Sequence, residues 1–237
     1  MKIIFLFLTT FSFIFATINL DIQNTPLFDV TTKNAKIQIP DLSIGQSGIV
    51  IKNIDTNSII LSQAVVVASN QNDSTIEFIN THILPQDAIP TSNLKPQNDD
   101  TFILNHLYNT SLIIVPNLKA KTLIQKLYPN QNFLNEDFFA SHLKVQNIPL
   151  PQKKDISSFA QSKQIGTIFL MVENNLYILD SISFKIIDTV SISNDDLTTH
   201  SPFFTKIENI EQAFWDFGAE EIENYNEYYL ELLEIKQ

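Results

Sequence analysis

The chain has 237 residues, 44% hydrophobic and 17% charged, with 15 basic residues, all lysine, and a formal net charge of −11. So acidic a surface repels phosphate backbones and gives no attraction to anionic headgroups, which argues against a nucleic-acid partner. With no cysteine and no arginine, disulfides, thiolate metal sites, thiol nucleophiles and guanidinium clamps are all excluded.

The first expected element is an export signal over residues 1–16. Lys2 precedes an apolar run that ends at Ala16, the best cleavage position, although Ile14 makes the small-x-small site imperfect. The run is shorter than the roughly 20 residues of a membrane-crossing helix, so no transmembrane span is expected after cleavage. An uncleaved anchor is the alternative. No cysteine follows to carry a lipid. The expected location is the periplasm, with exposure on the outer surface left open.

Residues 17–100 read as a β-rich domain. Residues 17–40 show little periodicity beyond one strand around Ala35. Strands are expected over 48–54, 58–68 and 74–80, separated by turn clusters at Asp55-Thr56-Asn57 and over 70–73. In the last of these, Ile76 and Phe78 share one face and Thr75, Glu77 and Ile79 the other. Strands joined this way form an antiparallel meander that curls into a small barrel or sandwich. Pro85, Pro90 and Pro96 then mark a loop over 83–100. Gly45 and Gly48 are the only close glycine pair, read as a strand-entry turn that needs positive φ.

Residues 101–206 read as an α/β subdomain. Two strands, 101–106 and 110–115, precede a helix over 118–128 capped by Asn117, with Ala120, Leu123, Ile124 and Leu127 on one stripe. Asn135-Glu136-Asp137 opens a second helix to Lys144, and Asp155 is read as the cap of a third reaching Lys163. The run TIFLMV over 167–172 has the continuous apolarity of a strand covered on both faces. Asn174-Asn175 turns it into strands over 176–180 and 184–192.

Residues 207–237 read as an acidic amphipathic helix, its pattern clearest over 208–236, with Gly218 separating a short lead-in that holds Trp215 from the main helix. Ile222, Tyr225, Tyr229 and Leu232 make one stripe, while Glu220, Glu223, Glu227, Glu231 and Glu234 make another. The fold class expected overall is α+β: a β meander or small barrel, an α/β-type subdomain and a C-terminal helix.

Little in the chain points to catalysis. His82, His106, His142 and His200 form no HExxH or His-x-His pair, and the acidic pairs beside His106 and His200 read as turns. The two Ser-x-x-Lys matches, at Ser92 and Ser141, lack a Lys-Thr-Gly partner, and four glycines leave no phosphate-cradling loop. No enzyme, metal or cofactor is expected.

Three stretches in order carry a resemblance. They are Ile44-Gly45-Gln46-Ser47-Gly48-Ile49-Val50, then Leu84-Pro85-Gln86-Asp87-Ala88-Ile89-Pro90-Thr91, then the run from Leu104-Asn105-His106-Leu107-Tyr108 to Val115-Pro116-Asn117. With Gly166-Thr167-Ile168-Phe169 and Ser183-Phe184-Lys185, the chain resembles the N-terminal domain of the plasminogen-binding proteins of epsilonproteobacteria. The resemblance implies host plasminogen as a partner. Capture runs through kringle modules, which take a lysine side chain with a carboxylate or nearby acid, and in named members a lysine-bearing C-terminal extension is associated with that role. Here the printed sequence closes Glu234-Ile235-Lys236-Gln237, so the carboxyl of Lys236 is in a peptide bond.

Two readings follow. The first is a periplasmic, non-catalytic interaction protein docked on an envelope assembly, of which the flagellar motor scaffold is the concrete candidate, with Glu223, Glu227 and Glu231 meeting a protein partner. The second is a surface adhesin that binds plasminogen through Lys236.

Overall fold

Six antiparallel strands close on themselves in the first half of the chain. The computed structural model describes residues 18–79, 94–207 and 222–236. The expected export signal, the resemblance stretch at 84–91 and most of the proline-marked loop lie outside them, as do Glu220 and the first part of the expected C-terminal helix. The barrel strands are β1 (Gln23–Phe28), β2 (Asn34–Ile37), β3 (Ser47–Ile54), β4 (Asn57–Ser69), β5 (Ser74–Ile79) and β6 (Thr101–Leu104). Their order is β1-β2-β5-β4-β3-β6, with β6 returning to β1. Alternate residues point inward, so Leu27, Ala35, Ile37, Val50, Ala64, Val66, Ile76, Phe102 and Leu104 fill the interior.

Two features depart from the sequence reading. β1 was hidden in the lead-in, because Pro26 and three polar residues mask a strand that hydrogen-bonds to β2 and β6. β6 belongs to the barrel, since Leu104 pairs with Gly48 on one side and Gln23 on the other. The expected division after Asp100 therefore falls ahead of the barrel's closing strand. At Gly48 that closure is tight: a Cβ would lie 2.3 Å from the Ile103 carbonyl oxygen. Gly45 has φ +104°, as its turn requires.

The second half builds a five-stranded sheet from β7 (Thr110–Ile114), β8 (Asn132–Leu134), β9 (Thr167–Val172), β10 (Asn175–Asp180) and β11 (Ile186–Ser191). The order is β11-β10-β9-β7-β8, with β7 parallel to β8 and β9 and the remaining pairs antiparallel. Helices α1 (Leu118–Leu127), α2 (Glu136–Gln146) and α3 (Lys153–Ser162) lie between its strands in sequence, and α4 (Tyr225–Leu232) follows. All six residues of β9 are buried, as continuous apolarity demands. Ile168, Leu170 and Val172 pack with α2, α3 and α4, while Phe169 and Met171 pack with α1. Among the described residues no helix is long and apolar enough to cross a membrane.

Capping follows side-chain chemistry. Asn117 accepts from the Ala120 amide at 2.8 Å and Asn135 from the Asp137 amide at 2.9 Å. Asp155 is not the cap of α3 but its third helical residue; it reaches back to the Gln152 amide at 2.9 Å. Leu127, expected on the buried stripe of α1, is 55% exposed. The helix ends there, and Tyr128 turns its ring edge-on to Phe169 at 5.0 Å instead. The β9–β10 turn is Glu173-Asn174, with the positive φ at Glu173 rather than at an asparagine.

A buried polar cluster joins barrel to sheet. The Asp180 carboxylate accepts from the Ser47 hydroxyl, from Tyr108 Oη at 2.8 Å, and from the amides of Ile182 and Ser183 at 2.9 and 2.6 Å. Burial pushes its pKa up, against the hydrogen bonds from Ser183, Ser47 and Tyr108. Asn105 ties in the lead-in, donating to the carbonyls of Asn19 and Asp21 at 3.1 and 3.0 Å. The Ile18 amide in turn donates to Asp188 in β11 at 2.9 Å. The segment before β1 is thus a strap running from the sheet to the barrel.

Candidate partner-binding surface

The local sequence of α4 determines what it hides and what it shows. Asn224 caps it, accepting from the amides of Asn226 at 3.1 Å and Glu227 at 3.3 Å. Ile222, Tyr225, Tyr229 and Leu232, the expected apolar stripe, are all buried, and Leu230 joins them. Each buried hydroxyl finds a carbonyl: Tyr225 donates to Met171 at 2.8 Å and Tyr229 to Pro202 at 2.8 Å. Burial lifts both phenols well above the ordinary tyrosine range. Tyr228, half-buried, donates to the Pro151 carbonyl at 3.1 Å, and its pKa is pushed up to about 12 by burial, with Asp155 and Glu231 adding to the rise.

The other face carries the acids. Glu223, Glu227 and Glu231 are exposed, and no ion pair holds any of them among the described residues. Glu227 and Glu231 stand on α4, whereas Glu223, expected within the helix, lies one residue ahead of the Asn224 cap.

The C-terminal end of α4 is closed by a left-handed turn at Glu234, φ 59°. The Glu234 amide donates to the Glu231 carbonyl at 2.9 Å and the Ile235 amide to the Leu230 carbonyl at 3.0 Å, a Schellman pair with glutamate where glycine is usual. The Glu234 carboxylate pairs with Lys153 at the start of α3, which lowers its pKa. Lys236 follows this turn, exposed and without an ion pair among the described residues.

Lys153 had no signal in the sequence, because its link to Glu234 is made in space. The acids in sequence near His106 and His200 are taken up elsewhere. Asp100 accepts from the Gln97 amide at 2.8 Å, and Asp195 pairs with Lys119. Among the described residues no three acids or histidines gather as a metal site would require. Among the described residues, the resemblance stretches at 44–50, 104–117 and 183–185 meet at the junction, where Gly45, Ser47, Asn105, Tyr108 and Ser183 hydrogen-bond.

Residues 23–233, covering barrel, sheet and all of α4, match the family described as plasminogen-binding protein pgbA N-terminal. The chain is similar to the plasminogen-binding protein PgbA of Helicobacter pylori strain J99, 24% identical over 204 residues, covering 85% of this chain and 45% of that protein. The same protein of strain 26695 is also 24% identical over 204 residues, with 44% of its length covered. The chain thus spans less than half the length of these curated relatives. No solved structure matches it. The match extends over both halves of the fold, and the chain belongs to the plasminogen-binding protein pgbA N-terminal family.

Proposed function

We propose that this chain is an exported, non-catalytic protein-binding module that captures plasminogen at the cell surface, with Lys236 as the residue offered to a kringle. The observation that carries the reading is the family match over residues 23–233, together with relatives named for plasminogen binding. The exposed, unpaired Lys236 supports it on the chemical side. Purified chain lacking residues 1–16 is titrated onto immobilised plasminogen with and without free lysine. Binding competed by free lysine is expected, weakened at least about tenfold by Lys236→Ala, the equivalent of about 1.4 kcal/mol. No binding by the intact chain overturns the function. Binding that survives both the competitor and Lys236→Ala overturns the assignment to this residue.

The second reading, a periplasmic scaffold such as one in the flagellar motor, has one feature in its favour, the exposed carboxylates of Glu223, Glu227 and Glu231. Reversal of the three to lysine then abolishes co-purification of a basic envelope partner and leaves plasminogen binding intact. Protection from external protease until the outer membrane is opened goes with this reading and against the first.

A further inference from the structure

The strap ahead of β1 is held at both of its ends. Ile18 and Leu20 are half-buried against the core on the α1 side of the sheet, while Asn19 and Asp21 face outward. At the barrel end Asn105 donates to the carbonyls of Asn19 and Asp21. At the sheet end the Ile18 amide donates to Asp188 Oδ2 at 2.9 Å, so the upstream end of the strap rests on a carboxylate of β11.

That carboxylate lacks a counter-charge. Asp188 is half-buried, its Oδ1 accepts from the Thr189 amide at 2.8 Å, and among the described residues no lysine stands within ion-pair distance of it. Its charge reaches Tyr128, which packs in the same core as Ile18 and Leu20; burial and Asp188 together push that phenol up to about 12. A carboxylate partly removed from water gains from a cation brought close to it.

One such cation lies within covalent reach. Thr17 is bonded to Ile18, and consecutive backbone nitrogens are at most about 3.7 Å apart. Hydrolysis of the Ala16–Thr17 peptide bond, the best cleavage position of the export signal, adds one water across it. The new carboxylate leaves with Ala16, and the Thr17 nitrogen becomes an α-amine with an ordinary pKa of about 7.7–8.0, mostly charged at neutral pH. Bond lengths alone keep that nitrogen within about 7 Å of Asp188 Oδ2, and rotation about the Thr17 backbone turns it toward the oxygen. In the uncleaved chain the same nitrogen is a neutral amide.

We propose that the α-ammonium of Thr17, released by removal of residues 1–16, pairs with Asp188 and locks the strap, so that signal removal and the clasping of sheet to barrel are coupled. The inference rests on the export reading of residues 1–16 and is independent of plasminogen capture.

Two forms of the mature chain test it by isoleucine-methyl NMR and thermal melting. One begins at Thr17; the other carries a glycine–serine pair ahead of Thr17, which moves the ammonium about 7 Å along the chain. Each is made with Asp188 and with Asp188→Asn, which keeps an acceptor for the Ile18 amide. The expected result is an Ile18 methyl signal that moves toward its unfolded-chain position on extension and on Asp188→Asn, with a melting temperature lower by about 2 °C in each case. The doubly changed protein is no worse than either single change. An extended chain indistinguishable from the Thr17 form overturns the proposal. So does a loss confined to Asp188→Asn, which leaves the aspartate holding the strap through the Ile18 amide alone, and so do effects of the two changes that add. N-terminal sequencing of the native protein separates this inference from the reading beneath it. A start at Met1 overturns export and the clasp together, whereas a start at Thr17 with an indistinguishable extended chain overturns the clasp alone.

Discussion

Replacing Tyr229 tests whether α4 is held by its aromatic stripe and free on its acidic one. The side chain is fully buried, its ring centroid 4.7 Å from that of Tyr225 and 5.2 Å from that of Tyr228, and its hydroxyl donates to the Pro202 carbonyl at 2.8 Å. Tyr229→Phe keeps the ring and strands that carbonyl, at a cost of about 1–3 kcal/mol. Tyr229→Ala removes the ring as well and leaves a cavity, with a loss of about 3–5 kcal/mol. For a chain this size each kcal/mol moves the melting temperature by about 2–4 °C, so the alanine variant melts about 6–20 °C lower. Glu227→Lys and Glu231→Lys, on the exposed face, stay within about 0.5 kcal/mol of the parent. Urea unfolding followed by circular dichroism gives the ranking, provided the slope is unchanged. An alanine variant within 1 kcal/mol of the parent, or a glutamate reversal as damaging as the phenylalanine change, refutes the division of α4 into a docked and a free face.

Two pH experiments follow from the buried acids. Tyr225 and Tyr229 sit well above the normal phenol range and Tyr128 is pushed up to about 12, so the unfolded chain releases these protons first. Stability is therefore full below the unfolded-state pKa of about 10 and falls as pH rises beyond it, which alkaline unfolding followed by tyrosinate absorbance detects. Asp180, raised by burial, likewise contributes most in acid and loses that contribution as pH rises through its folded-state pKa. Asp180→Asn flattens this part of the pH–stability curve, whereas Asp180→Ala strands four donors and costs about 3 kcal/mol or more. A parent curve without that acid-side slope contradicts the assignment.

How far the sequence disclosed the fold depends on the range of the interactions. β3, β4 and β5 announce themselves by β-branched runs and polar turns, and β9 by unbroken apolarity. Asn117 and Asn135 act as caps because the bond each makes is local. β1 and β8 carry no such mark; the three residues of β8 become a strand only because β7 lies beside them. Helical spacing marks the buried stripe of Tyr225, Tyr229 and Leu232 on α4. The Lys153–Glu234 pair and the Ile18–Asp188 bond join segments far apart in the chain, which no periodicity encodes.

Closure of the barrel has a kinetic consequence. The seam joins Gln23 to Leu104, the two ends of the barrel sequence. The β1–β2, β2–β5, β5–β4 and β4–β3 pairings can form earlier along the chain, but β1 and β3 keep an open edge until β6 arrives. A chain synthesised amino end first must therefore hold five strands with unsatisfied borders until residue 104 has cleared the exit. The long-range seam makes this half the slow one to fold, and substitutions in β6 should act on folding rate and on capture by chaperones before they act on the finished molecule.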